Sequence, residues 1–325
     1  MNLLPLKIMF LITIVVLWIG VLNLRATKGS VQIQQSFNYD AGPDTVLFQL
    51  FTRKNPVKAQ ILQLEDISLE QSNYNNSLPT KVFVHGYGAP PSQGYSTRDE
   101  YLLLEDCNFI SVDWTLLGAS NYMLVALNNV PIVGNITGAF VEFLLNQGTP
   151  LSAFHLIGFS MGAHIVGNAG AYIASIGLQV PRITGLDPSE YAFPLQLIDN
   201  CLDKTDASFV DVIHTSEITY KRAVGHVDFY PNGGFLQTGC PLGIPDTECC
   251  NHCRAVDLFA ESINSPLGFK AVLCNSSDSF QNGFCNSNTQ ALMGEPVSTN
   301  VRGLFYLATN GQPPYAQELL ALDKL

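Results

Sequence analysis

Short runs of consecutive apolar residues recur along the chain and alternate with longer stretches of helical periodicity. Lys81–Val84, Phe109–Val112, Phe154–Phe159, Ile183–Leu186 and Phe209–Ile213 span four to six residues each. Their length and their richness in Val, Ile and Phe predict strands buried on both faces. Between them lie segments of helix length, Asn121–Leu145 and Ala163–Ile176, and Ala255–Ile263 follows with the same periodicity. Strand and helix alternating in this way imply an α/β fold, a mainly parallel sheet flanked by helices on both faces. No internal repeat or low-complexity linker interrupts the pattern after residue 30, so one domain over 30–325 is expected.

The N-terminus breaks this pattern. Lys7 precedes a fifteen-residue apolar run, Ile8–Leu22, after which Asn23, Arg25 and Lys28 restore polarity. A membrane-spanning helix needs about 20 apolar residues. The shorter run predicts a removable signal peptide over 1–29, with a retained anchor as the alternative. Cysteine usage fits export: eight cysteines, six of them between Cys240 and Cys285, are an even set suited to disulfides. The candidates are Cys240, Cys249, Cys250, Cys253, Cys274 and Cys285. Asn75, Asn135 and Asn275 begin glycosylation sequons, Asn135 within a helical stretch. With 47% apolar and 13% charged residues the chain can bury a full core. Its net charge of -11, without any Lys/Arg run, excludes nucleic acid and charge-driven binding to anionic membranes. A lipid partner would be reached through apolar contacts.

The candidate chemistry sits in Gly158-Phe159-Ser160-Met161-Gly162, entered by a predicted strand and left by a small-residue helix. That is the context of a nucleophile elbow, where glycines allow a sharp turn and the serine hydroxyl projects above the sheet. A serine needs a base, and the base needs a carboxylate to fix its tautomer. Asp187 ends the strand Ile183–Leu186, at the carboxyl edge where open α/β sheets place their sites. Asp211 and Asp228 compete but lie inside strand-like segments. With the chain order Ser, Asp, His, the base is His214, His226 or His252. The first two are embedded in apolar runs, whereas His252 precedes a helical pattern and is expected on a loop held by disulfides. The N–H of Met161, after the nucleophile, and that of Tyr87, in the glycine-bearing turn His85-Gly86-Tyr87-Gly88, are the expected oxyanion donors.

Several separated segments in order then carry a resemblance: Val84-His-Gly-Tyr87, Val112-Asp-Trp114, Gly158–His164, Ile183–Pro188, Val210–Thr215, Gly225–Gly234 and Cys250-Asn-His252. Together they resemble the pancreatic lipase family, particularly its arthropod neutral lipases and phospholipases A1. The resemblance implies an α/β-hydrolase fold, places the triad on Ser160, Asp187 and His252, and puts the oxyanion donors at Tyr87 and Met161. It further implies a lid closed by a disulfide from Cys240 to Cys250 or Cys249, enclosing nine or eight residues, with Leu242 and Ile244 available for lipid contact. A lid that short, beside a brief Ser216–Val224 loop, resembles phospholipases A1, with triacylglycerol and galactolipid as rival substrates. The expected partner is lipid at a membrane or micelle surface. Vertebrate members add a C-terminal lipid-binding domain, for which this chain is expected to end too soon. The family's calcium loop is matched only by Asp203 and Asp206, and neither a cofactor nor a catalytic metal is expected. Two other readings remain: a catalytically silent lipid carrier or yolk-type protein, and a zinc module built from Cys240, Cys249, Cys250, His252 and Cys253.

Overall fold

A computed structural model describes residues 45–122, 125–189, 200–217, 222–241 and 249–317. Five strands lie where the apolar runs predict them, each extended by at most a residue at either end: β3 (Thr80–Val84), β4 (Asn108–Asp113), β5 (Phe154–Phe159), β6 (Arg182–Leu186) and β7 (Phe209–Ile213). Six more complete the sheet: β1 (Leu47–Phe51), β2 (Gln60–Leu62), β8 (Val227–Pro231), β9 (Phe269–Leu273), β10 (Gln290–Met293) and β11 (Gly303–Leu307). The order is β10-β9-β11-β8-β7-β6-β5-β3-β4-β1-β2. From β11 to β4 every neighbouring pair is parallel. The outer pairs β1–β2, β1–β4, β9–β11 and β9–β10 are antiparallel.

Alternate residues of each central strand feed two cores. Val82, Val84, Ile110, Val112 and Leu156 point to one face, where α2 (Val130–Asn146) and α3 (Met161–Ser175) bury Phe140, Ile165 and Ala169. Phe83, Phe109, Ile157, Phe159 and Phe229 point to the other, covered by α1 (Tyr95–Leu104) and α4 (Cys250–Asn264) through Tyr101, Leu258 and Phe259. Both faces are therefore dry, which is why the central strands are apolar without alternation.

Two expectations are corrected. The stretch expected as one helix over Asn121–Leu145 is a π-turn, Val125–Asn129, followed by α2. Pro131 has no N–H for the carbonyl four residues back, and its ring crowds that carbonyl, so the regular ladder begins only around it. His252 does not lie on a loop: it is the third residue of α4, whose first turn begins five residues before the predicted Ala255.

The expected signal segment 1–29 and the lid residues Leu242 and Ile244 lie outside the described residues. Among the described residues, no helix is long and apolar enough to cross a membrane.

Candidate active site

Ser160 joins β5 to α3 with φ 58° and ψ −120°, a conformation that costs an L-residue about 1–3 kcal/mol. The neighbouring glycines make the turn sterically possible. A Cβ on Gly158 would overlap the carbonyl of Gly162, and one on Gly162 would overlap the carbonyl of Val84. The turn is further held by the Ser160 N–H, which donates to the Leu186 carbonyl at 2.9 Å. Phe159 and Leu186, buried on either side, each contribute about 1.5–3 kcal/mol, enough to offset the local strain. Met161 is the first residue of α3, and the opening N–H groups of a helix have no partner within it. The Met161 N–H therefore has no acceptor within α3.

Asp187 is fully buried at the end of β6, also at positive φ (44°), with its N–H donating to the Ile213 carbonyl at 2.7 Å. Its carboxylate is well supplied with donors. Oδ1 accepts from the backbone N–H of Thr215 at 2.7 Å and of Ser216 at 3.3 Å, while Oδ2 accepts from the Ser216 hydroxyl at 2.6 Å. His252 Nδ1 meets Oδ2 at 2.6 Å, and its ring lies against Phe159, centroids 4.5 Å apart. A carboxylate cannot donate, so the imidazole carries its proton on Nδ1 and presents Nε2 as an acceptor. That is the tautomer a serine-activating base requires.

The competing groups are engaged elsewhere. Asp211 receives Arg182 Nε and Nη2 at 2.9 and 3.1 Å together with the Thr184 hydroxyl. Asp228 pairs with the buried His214 at 2.8 Å, and His226 Nδ1 accepts the Val210 N–H at 3.0 Å.

The family model described as Lipase matches residues 24–315. This chain belongs to the pancreatic lipase family. Human inactive pancreatic lipase-related protein 1 is 36% identical over 73% of this chain and 56% of its own length. Xenopus tropicalis lipase member H is 36% identical over 79% of this chain and 56% of its own, and Rattus norvegicus phospholipase A1 member A 35% identical over 74% and 53%. The chain thus spans about half the length of the curated relatives it matches.

Two disulfides bracket His252. Cys240 pairs with Cys250 and Cys249 with Cys253, and a third bridge joins Cys274 to Cys285. Of the two lid closures left open by the sequence, Cys240–Cys250 is the one formed. The zinc module is overturned, because its four cysteines are spent in disulfides and offer no thiolates. Cys107 lies outside the bridges, and its burial pushes the thiol up to about 12.

Several supporting residues carry no signature of their own in the sequence. Thr215 and Ser216 reach Asp187 only because β7 lies beside β6. Gln93 accepts the Gly86 N–H at 2.9 Å, anchoring the turn that holds Tyr87. The Tyr87 side chain is exposed and donates through its hydroxyl to the Ser120 carbonyl at 2.7 Å. His164 donates from Nε2 to the Ser189 carbonyl at 2.7 Å and accepts the Leu202 N–H on Nδ1 at 3.0 Å. It thereby ties both ends of the 190–201 connection to the helix that follows Ser160.

Proposed function

We propose that this protein is a secreted lipid carboxylic-ester hydrolase with Ser160 as nucleophile, His252 as general base and Asp187 as its orienting carboxylate. The observation that carries this reading is the buried Asp187 carboxylate 2.6 Å from His252 Nδ1. In the proposed cycle Ser160 Oγ attacks the ester carbonyl carbon while its proton passes to His252 Nε2. The Met161 and Tyr87 N–H groups receive the charge that develops on the carbonyl oxygen. Collapse of the adduct breaks the carbon–oxygen bond, and the departing alcohol takes the proton from His252. Water, deprotonated by the same imidazole, then releases the fatty acid and restores Ser160.

Phospholipid, cleaved as by a phospholipase A1, is the proposed substrate class, with triacylglycerol or galactolipid as the alternative. The brief loop closed by Cys240–Cys250 supports an open cleft that admits a polar headgroup. Secretion is supported by the three disulfides, which persist in oxidising compartments.

The test is fatty-acid release from a panel of defined lipids, with Ser160→Ala and labelling by a fluorophosphonate probe alongside. Loss of a triad serine is expected to reduce turnover by about 10⁶-fold without loss of fold. A folded wild-type protein that neither hydrolyses any lipid nor takes the probe would instead be a silent carrier. That outcome has a precedent in the name of the inactive human relative.

A further inference from the structure

A second concave feature lies at the sheet edge opposite Ser160. A groove of about 650 Å³ opens where β6, β7 and β8 begin, lined by Gln179, Lys204, Thr205, Ser208, His226 and Arg302. In a chain with 27 acidic and 16 basic side chains, no carboxylate is among the groove's described lining residues.

Its polar groups are arranged as donors. Lys204 has no hydrogen-bond or ion-pair partner among the described residues. Arg302 uses Nη1 on the carbonyls of Thr299 and Val301 at 2.6 and 2.7 Å, and its guanidinium lies 5.5 Å from the Phe209 ring. Its remaining N–H groups have no described partner. Because His226 Nδ1 accepts the Val210 N–H, the neutral ring carries its proton on Nε2. Ser208 donates to Gln179 Oε1 at 3.2 Å, which leaves the Gln179 amide N–H₂ as a donor. The nearest carboxylates in sequence are turned into their own loop: Asp203 accepts the N–H and hydroxyl of Thr205, and Asp206 accepts the Asp203 N–H.

We infer that this groove binds an oxyanion, a phosphate or sulfate group carried by a soluble molecule. A guanidinium, an ammonium and an imidazole N–H facing one groove match the acceptor oxygens of such a group, and charge-assisted bonds to it are roughly twice as strong as neutral ones. The soluble source follows from position. Five-residue strands rise about 3.3 Å per residue, so roughly 16 Å of sheet separates the groove from the edge that carries Ser160. A bilayer engaged at that edge leaves the groove facing away from it. Burial, then Arg302 and then Lys204, depress the His226 pKa. An anion offsets both charges, so binding should raise that pKa and take up protons.

The experiment titrates inorganic phosphate, and separately sulfate, into the full-length protein, followed by calorimetry and by the imidazole resonances of His226. Saturable binding with a Kd of about 1 mM or tighter is expected, weakened about tenfold or more in Lys204→Glu and Arg302→Gln. Ester hydrolysis and Tm should be unchanged in Lys204→Glu, whose side chain is exposed. Absence of saturation by about 20 mM, or equal affinity in both variants, would overturn the inference. Phosphatidylglycerol vesicles form the second arm. Retention on them that Lys204→Glu abolishes, without binding of inorganic phosphate, would reassign the groove to a lipid headgroup and overturn the soluble-ligand form.

Discussion

At the scale of single residues, the site depends on groups that hold other groups. The Asp187 carboxylate is buried, and three donors from Thr215 and Ser216 support it. Ser216→Ala removes the shortest of these, so kcat should fall about tenfold with KM nearly unchanged, and Ser216→Thr should restore much of the loss. An equal fall in the alanine and threonine forms relative to the wild-type serine would deny the hydroxyl a positioning role. His164 provides a test of acid stability. Burial lowers its pKa to about 4 from an ordinary 6.5, so the folded protein binds fewer protons than the unfolded chain between those values. Its contribution is fully present above pH 6.5, is lost as pH falls toward 4, and is flat below that. The loss is bounded at about 3 kcal/mol. Denaturant midpoints measured from pH 7 to pH 4 should fall with this profile, and a His164→Gln variant should show a shallower slope.

At the scale of elements, α4 carries His252, the proposed base, on its first turn rather than within its regular body. Cys249, in left-handed conformation (φ 59°), caps that turn, and the bridge to Cys253 spans it. The Cys240–Cys250 bridge fastens the same turn to the segment after β8, where Gln237 accepts the Asn232 amide N–H on Oε1 at 2.9 Å and donates to the Thr215 and Pro231 carbonyls at 3.0 Å. Replacing Cys249 and Cys253 by serine should cost about 2 kcal/mol, since the closed loop is short. Replacing Cys240 and Cys250 should cost about 3 kcal/mol and reduce kcat as well. Thermal unfolding with parallel kinetics would separate the two effects. Unchanged kcat in both double variants would show that the fold alone positions His252.

At the scale of the whole molecule, seven parallel strands between antiparallel margins place β5, β6 and the turn after β3 side by side, so that Ser160, Asp187 and Tyr87 share one edge. Nine residues separate Cys240 from Cys250, and the proposed open cleft rests on that brevity. Hydrolysis of monomeric short-chain esters below their critical micelle concentration is therefore expected, without a sharp rise above it. Grafting a longer apolar loop between those cysteines should shift preference toward triglyceride. Strong interfacial activation of the natural protein, with negligible phospholipid cleavage, would refute the open-cleft reading and leave the triad proposal standing.

The sequence by itself determined what local pattern encodes. Continuous apolar runs specify strands buried on both faces, and Gly158 and Gly162 permit the one turn that presents Ser160. The edge pairs β1–β2 and β9–β10 were not legible, because strands with one wetted face and few residues carry little periodic signal. The extension of α4 back through His252 was hidden for a related reason: Cys-Asn-His-Cys has no apolar helical stripe, and its helix is set by a positive-φ cap and two bridges. Only the tertiary structure decided which cysteines pair, which donors surround Asp187, and which basic residues meet in the groove at the far edge. Each of these joins residues distant in sequence, and their proximity follows from strand order and register rather than from any local preference of the chain.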